Sequence, residues 1–232
     1  MPLLGQAAVA MWWTILPERR AEFGDWHSHE HFPERMSIPG FHRGSRWTSL
    51  GGDGGFFVLY ELDSYDVLTS DGYLARLNAP TPWSQKMMPH HLGMVRSQCR
   101  VAASFGGGVG SALATVRLSP RAGGAEKLMR WLEGTLADLP SRVGITGAHL
   151  LLTATPHTDG PTVEQSIRGS DKTADWIVLV SGYEPDAVSE VVSRHFAASS
   201  LTDAGGQGSH SIDRYSLALA MTPQDLAPST SG

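Results

Sequence analysis

The densest run of residues able to do chemistry spans positions 26–35 and reads WHSHEHFPER. Two histidines and two glutamates in it stand at i, i+3, i+4 and i+7, so an α-helix would place them on one face. They are His27, Glu30, His31 and Glu34. Histidine beside carboxylate on an inward face suits proton transfer near neutral pH, because the carboxylate orients the imidazole and raises its basicity. We predict His31 as the general acid or base, oriented by one of the glutamates and assisted by His27. The competing interpretation is a solvated charged face, or a buried histidine bonded to its neighbour.

The same residues spell H-x-x-E-H, the inverted zinc-protease pattern, in which two imidazoles one turn apart bind the metal. That site needs a third ligand and a long helix, whereas Pro33 is expected to shorten the helix. The chain has one cysteine, Cys99, which we interpret as a buried packing residue. We therefore expect no metal and no other cofactor.

Substrate binding is predicted for two arginines and three aromatic residues. Arg43 and Arg46 are three positions apart in a predicted strand, so a regular strand points them to opposite sides. The one that faces a cavity would hold a carboxylate or phenolate, and we favour Arg46 over Arg43. The aromatic candidates are Trp26, Tyr60 and Trp83, for which core packing is the alternative.

The elements that would position these residues occur twice in the same order. The first half is predicted as strand 7–16, helix 18–36, strand 41–50, turn 51–55, strand 56–62, a helix from about 64 broken at 80–82, and strand 94–104. A glycine-rich linker, 106–110, follows. The second half is predicted as strand 111–118, helix 125–139, strands 148–154 and 176–181, helix 185–196 and strand 212–221. Residues 155–173 are predicted to be a mobile loop, and 205–209 another loop.

Two β-α-β-β-α-β units in tandem predict an α+β fold made of two ferredoxin-like units. Packing the two sheets face to face would form an α+β barrel within one chain, with a cavity lined partly by the first helix. The predicted units are 1–105 and 111–221, followed by a loose tail, 222–232. The first helix of the second half carries leucines and Trp131 where the first half carries histidines. We therefore expect a single site, in the first half.

Composition excludes several classes of function. The 232 residues carry a formal charge of −5 without a Lys/Arg block, which argues against a nucleic acid or membrane partner. The single cysteine excludes an intrachain disulfide framework. No apolar run approaches the roughly 18 residues of a spanning helix, and the first residues lack a basic segment typical of a signal peptide. We expect a cytoplasmic protein with a small-molecule partner, and a homodimer is compatible with this.

Three stretches of the first half resemble a known family: FGDWHSHEHFPERMSIPGFHRGSRW, FFVLYELDS and PWSQKM. They resemble the EthD-like part of the dimeric α+β barrel superfamily, closest to a group of mostly uncharacterised bacterial proteins, and the match covers residues 5–105. The matching positions are Trp26, Glu30, His31, Pro33, Glu34, Arg35, Pro39, Gly40, Phe41, Arg43, Arg46, Tyr60, Glu61 and Leu62. His27 stands where the family pattern usually has tyrosine.

The resemblance implies mostly cofactor-free chemistry on small cyclic or aromatic compounds, alongside haem-binding and haem-degrading branches. With the residues above, it predicts a cofactor-independent catabolic enzyme that works by histidine-mediated proton transfer, as a lyase, isomerase or hydrolase. Two alternatives stay open. One is a haem-handling protein with a histidine as axial ligand, and the other is a non-catalytic binding module.

Overall fold

The computed structural model describes residues 3–154, 162–168 and 171–226. Eight antiparallel strands form one closed barrel in the order β1-β3-β2-β8-β5-β7-β6-β4. The strands are β1 (Ala7–Thr14), β2 (Phe41–Ser49), β3 (Gly55–Leu62), β4 (Leu92–Gly106), β5 (Ala112–Leu118), β6 (Ile145–Thr153), β7 (Trp176–Gly182) and β8 (Ser211–Met221).

The two halves contribute equivalent sheets to this barrel. Within the first half the order is β4-β1-β3-β2, and within the second it is β8-β5-β7-β6. The sheets join edge to edge, where β2 pairs with β8 and β4 pairs with β6. This confirms the predicted fold class, a tandem pair of ferredoxin-like sheets closed into an intrachain α+β barrel.

Helices cover the outside of the barrel, as the repeated order of elements predicts. They are α1 (Arg20–Trp26), a π-helical turn (His27–His31), α2 (Phe32–Met36), α3 (Asp71–Asn78), α4 (Pro82–Met87), α5 (Ala125–Asp138), α6 (Val163–Arg168), α7 (Pro185–His195) and α8 (Ala198–Ala204). Short 3-10 turns extend several of them. No helix in the described ranges is long and apolar enough to cross a membrane.

The expectation that the first helix lines the cavity between the sheets is wrong. Alternate residues of a strand face opposite sides of the sheet. On β1, Ala8 and Trp12 therefore belong to the apolar cluster inside the barrel, while Val9 and Trp13 belong to the cluster under the helices. The helix carrying the histidines packs on the outer face of the first sheet. We call the space between this helix and the sheet the histidine layer.

Two helices of the second half were not predicted from the sequence. Within 155–173, residues 163–168 form α6, which packs against the helices of the first half; residues 155–161 and 169–170 lie outside the described ranges. The other is α8, which ends directly before the predicted loop 205–209. Of the predicted tail, residues 223–226 form a 3-10 turn, and 227–232 lie outside the described ranges.

Candidate functional site

The histidine-bearing segment is a π-helical turn set between two α-helices. The Phe32 N–H donates to the carbonyl of His27, five residues earlier. Pro33 does not end the helix as predicted, since α2 continues to Met36. Proline lacks an N–H and crowds the carbonyl four residues before it, and a wider turn relieves that contact. Single π turns inside α-helices occur frequently at functional sites.

His27 is the most enclosed group of the segment. It is 1% exposed, and its ring centroid lies 4.6 Å from that of Phe32 and 5.0 Å from that of Phe23. Its Nδ1 atom has no hydrogen-bond partner among the described residues. Burial, and then the nearby positive charge of Arg46, hold the pKa of His27 well below its ordinary value. The imidazole is therefore neutral at physiological pH.

His31 is paired with one of the two candidate glutamates. Its Nδ1 lies 3.8 Å from the Glu34 carboxylate, and its ring packs against Trp26 at 4.7 Å between centroids. Burial raises the pKa of Glu34. Glu30 instead accepts hydrogen bonds from Thr81 and Ser84. The α-helical spacing that put all four residues on one face fails because the π turn changes the rotation per residue.

Arg46 enters the histidine layer from strand β2. Its Nη2 donates to Ser28 Oγ at 3.0 Å, and its guanidinium carbon lies 5.8 Å from the centre of the Phe23 ring. The residue is 9% exposed, and burial lowers the pKa of its guanidinium. No carboxylate in the described residues pairs with it, and its Nη1 has no hydrogen-bond partner there. Among the described residues, Arg46 is thus a buried cation without a compensating anion.

Tyr60 supplies a hydroxyl to the same layer. Its Oη is buried without a partner among the described residues, and burial raises the pKa of the phenol. Gly44 on the neighbouring strand makes room for it, because a Cβ there would lie 2.4 Å from the Phe32 ring and 3.0 Å from the Tyr60 ring. The structure therefore brings together His27, Arg46 and Tyr60, three predicted site residues with unpaired polar atoms.

An ion pair that the sequence analysis missed closes the same layer. Arg35 of α2 is fully enclosed and donates to Glu164 of α6, which is also buried. Arg35 also stands beside the ring of Tyr73, at 6.0 Å. Arg35 lies in the matched E-H-x-P-E-R motif, which was a usable signal. Glu164 falls in a polar stretch that carried none.

The remaining predicted residues are placed elsewhere. Arg43 points into the barrel and binds Glu61 through two N–H groups, at 2.7 and 2.9 Å, so it does not meet the histidines. Trp26 lies in the layer and donates to Ser84. Trp83 is partly buried and packs at the edge of the first-half core.

The layer holds the parts needed for proton transfer on an anion: a neutral imidazole, a second imidazole beside a carboxylate, an uncompensated guanidinium and a phenol. No group of three or more histidine, cysteine, aspartate or glutamate side chains that could hold a metal ion occurs in the described part of the chain. Burial raises the pKa of Cys99 to about 12, which suits the packing role predicted for it.

No family model and no curated protein matches the chain. Solved structures do resemble it. An anthrone oxidase-like protein aligns over 99% of this chain and 100% of its own, with a TM-score of 0.62 and 12% identity. A provisionally named monooxygenase from Lactobacillus acidophilus NCFM aligns over 94% and 97%, with a TM-score of 0.60 and 10% identity. A haem-binding protein from Thermus thermophilus aligns over 92% of both chains, with a TM-score of 0.51 and 10% identity. At these identities the likeness establishes the fold.

Proposed function

We propose that this protein is an EthD-like enzyme that catalyses proton transfer on a small cyclic or aromatic compound bound as an anion in the histidine layer. The observation that carries the proposal is the buried guanidinium of Arg46, which no described carboxylate neutralises. Buried charges are otherwise paired, because removing them from water costs several kcal/mol. A substrate carboxylate, phenolate or enolate would supply the missing charge.

The two imidazoles are proposed to divide the acid and base roles. His27 is neutral and so able to accept a proton, and a substrate anion paired with Arg46 would remove a positive charge that helps to lower the pKa of this imidazole. His31 has Glu34 within 3.8 Å to stabilise the charge it carries when it holds a proton. With His27 as base and His31 as acid on the same face of a cyclic substrate, the arrangement suits isomerisation or elimination. From the sequence, His31 was predicted as the general acid or base, and His27 as its assistant.

Arg46 and Tyr60 are proposed to stabilise the anion formed in the reaction. Guanidinium and phenol donors in a layer walled by aromatic rings act at low effective dielectric, where they are stronger than in water. Two fold neighbours, an oxidase-like protein and a monooxygenase, are also named as enzymes. They favour enzymatic over purely structural use of the fold here.

Haem, which one neighbour binds, does not fit this layer. The His27 ring is surrounded by the rings of Phe23, Trp26, His31 and Phe32, with centroids 4.6 to 5.5 Å away. A haem iron would bind a nitrogen at the edge of this ring, and with Nδ1 buried among the described residues the surrounding rings leave no room there for a porphyrin. We therefore derive no step through haem.

The test is the charge preference of binding. A panel of small aromatic carboxylates and unsaturated lactone carboxylates is titrated by calorimetry, each beside its neutral methyl ester. We expect at least one anion to bind tenfold or more tightly than its methylated partner, and Arg46→Met to abolish that preference. Arg130→Met, which removes an exposed arginine of α5, is the matched control and leaves the preference unchanged. Absence of any preference in the unmodified protein, or its persistence in Arg46→Met, contradicts the proposal.

A further inference from the structure

A small cavity lies inside one mouth of the barrel, across the first sheet from the histidine layer. Its free volume is about 30 Å³, which is room for about two water molecules. The linker residues Gly108 and Val109 form its rim. The polar side chains that line it are Arg43, Ser45, Glu61, His149 and Ser181. Of these, only Arg43 was a predicted site residue.

The one carboxylate of this cavity is already neutralised. Glu61 accepts two hydrogen bonds from Arg43 and a third from the backbone N–H of Leu4 at 2.7 Å. A guanidinium has five N–H groups, so Arg43 keeps donors beyond the two that Glu61 takes. The ion pair leaves N–H groups of Arg43 unused, and the positive charge of Arg43 balances the charge of Glu61.

His149 contributes a further donor. The Leu3 N–H donates to Ser104 Oγ at 3.2 Å, and Ser104 Oγ lies 2.9 Å from His149 Nδ1. We assign the hydroxyl proton to the bond with Nδ1, which leaves the ring proton on Nε2. Burial lowers the pKa of His149 to about 4, so the ring is neutral and too weakly basic to activate Ser104 as a nucleophile. The pair serves binding rather than catalysis.

Ser45 adds a third donor from the neighbouring strand. Its Oγ accepts from the indole N–H of Trp47 at 2.9 Å, and its own O–H has no acceptor among the described residues. Ser45 is 2% exposed. The spare side-chain groups of this cavity are mainly hydrogen-bond donors. A water molecule would have to direct its own protons towards them. An anion accepts from all of them.

We propose that the barrel mouth is a binding site for a small anion of two to four non-hydrogen atoms, of the formate or nitrate class. Spare N–H groups of Arg43, the Nε2–H of His149 and the O–H of Ser45 would hold it. Gly108, with φ at +76°, gives the linker at the mouth a backbone conformation that favours glycine. This inference is independent of the proposed function.

The experiment is a titration of the full chain with sodium formate in gluconate buffer at constant ionic strength, followed by ¹H–¹⁵N correlation spectra. Gluconate is too large for the cavity. We expect saturable shifts of the Trp47 indole N–H and of the Gly108 and Val109 amides. His149→Leu and Ser45→Ala should each weaken formate binding about tenfold or more, because each removes a donor to a charged group.

His42→Gln is the matched control. It removes a half-exposed histidine from the same strand as Arg43, outside the cavity, and leaves formate binding unchanged. Shifts that do not saturate, or that gluconate reproduces, overturn the proposal and leave water as the occupant. Equal affinity in Ser45→Ala and the unmodified chain also overturns it. If His149→Leu fails to fold, the comparison of formate with gluconate and the Ser45→Ala variant decide the question.

Discussion

The two halves share one strand order and one helix placement, yet they fill the layer between helices and sheet differently. In the second half this layer is closed by apolar side chains, among them Leu128, Leu132, Leu136, Val188, Val192 and Phe196, with Trp131 packed against them. The first half places two histidines and two arginines in the equivalent layer. The fold is therefore complete without polar groups at these positions.

The comparison also gives the cost of the polar layer. Arg46 Nη1, His27 Nδ1 and Tyr60 Oη are buried without partners in the described residues. An unsatisfied buried polar group typically costs about 1–3 kcal/mol. Strain and unpaired groups that a fold does not require are expected at functional sites.

The second half nevertheless takes part in the first-half layer. Its buried Glu164, on α6, neutralises Arg35. The second half thus contributes a buried charged residue to the layer of the first half. A function in the first half would depend on both halves being present in one chain.

The largest expected effect is on catalysis. His27→Gln should lower the turnover of a bound substrate by about 10²–10⁴-fold, because it removes the proposed base. Solvent deuterium incorporation into the substrate, followed by NMR, measures it, and circular dichroism checks the fold. The matched change in the other half, Leu132→Ala, should cost about 2–5 kcal/mol of stability and leave turnover unchanged. Equal loss of turnover in both variants would remove the functional difference between the halves.

Next in size is the ion pair that joins the halves. Glu164→Gln leaves Arg35 buried without its hydrogen-bonded carboxylate, so we expect the free energy of unfolding to fall by about 3–5 kcal/mol in urea titrations. The control is Glu190→Gln, which breaks an exposed pair with Arg194 and should change stability by at most about 1 kcal/mol. Adding Arg35→Met to Glu164→Gln should restore most of the loss. A Glu164→Gln protein as stable as the control would show that α6 does not hold the layer closed.

Sequence patterns were sufficient for the fold because its signals are local. Apolar runs, the glycine turn at 51–55 and the leucine stripe of α5 each specify one element, and their repeated order specifies the barrel. The odd spacing of Arg43 and Arg46 also correctly predicted that they face opposite sides of the sheet.

The arrangement around the histidines depended on contacts that sequence does not show. The π turn redirects Glu30 towards Thr81, although the i, i+3, i+4 spacing is a sound rule for a regular α-helix. The partner of Arg35 comes from 129 residues further along the chain, in a segment with no periodic pattern. The side of the sheet on which the first helix packs is a tertiary property, and the barrel interior was the wrong choice.

The buried histidine of the second half allows a test by pH. Unlike His27, His149 faces the barrel, and its pKa is about 4 against an ordinary value near 6.5. Below pH 6.5 the unfolded chain binds a proton that the folded chain does not, so stability should fall as the pH drops from 6.5 to 4. The contribution is about 3 kcal/mol in full. In urea titrations across this pH window, the free energy of unfolding of His149→Gln should lack this fall. The variant of the exposed His42, His42→Gln, should keep it.

The smallest expected effect is the one that distinguishes function from structure most directly. Arg46→Met gives the first-half layer an apolar side chain of the kind that fills the second. It removes an uncompensated buried charge at the cost of one hydrogen bond to the half-buried Ser28. We expect the free energy of unfolding to rise by about 1 kcal/mol, because methionine fills the space without a desolvation penalty. Urea denaturation measures this, and the anion titration shows the accompanying loss of binding. A stabilised protein that no longer prefers anions would place Arg46 among residues retained for binding. If the free energy of unfolding instead fell by more than about 1 kcal/mol, the guanidinium would be a structural group. The difference between the halves would then be one of packing.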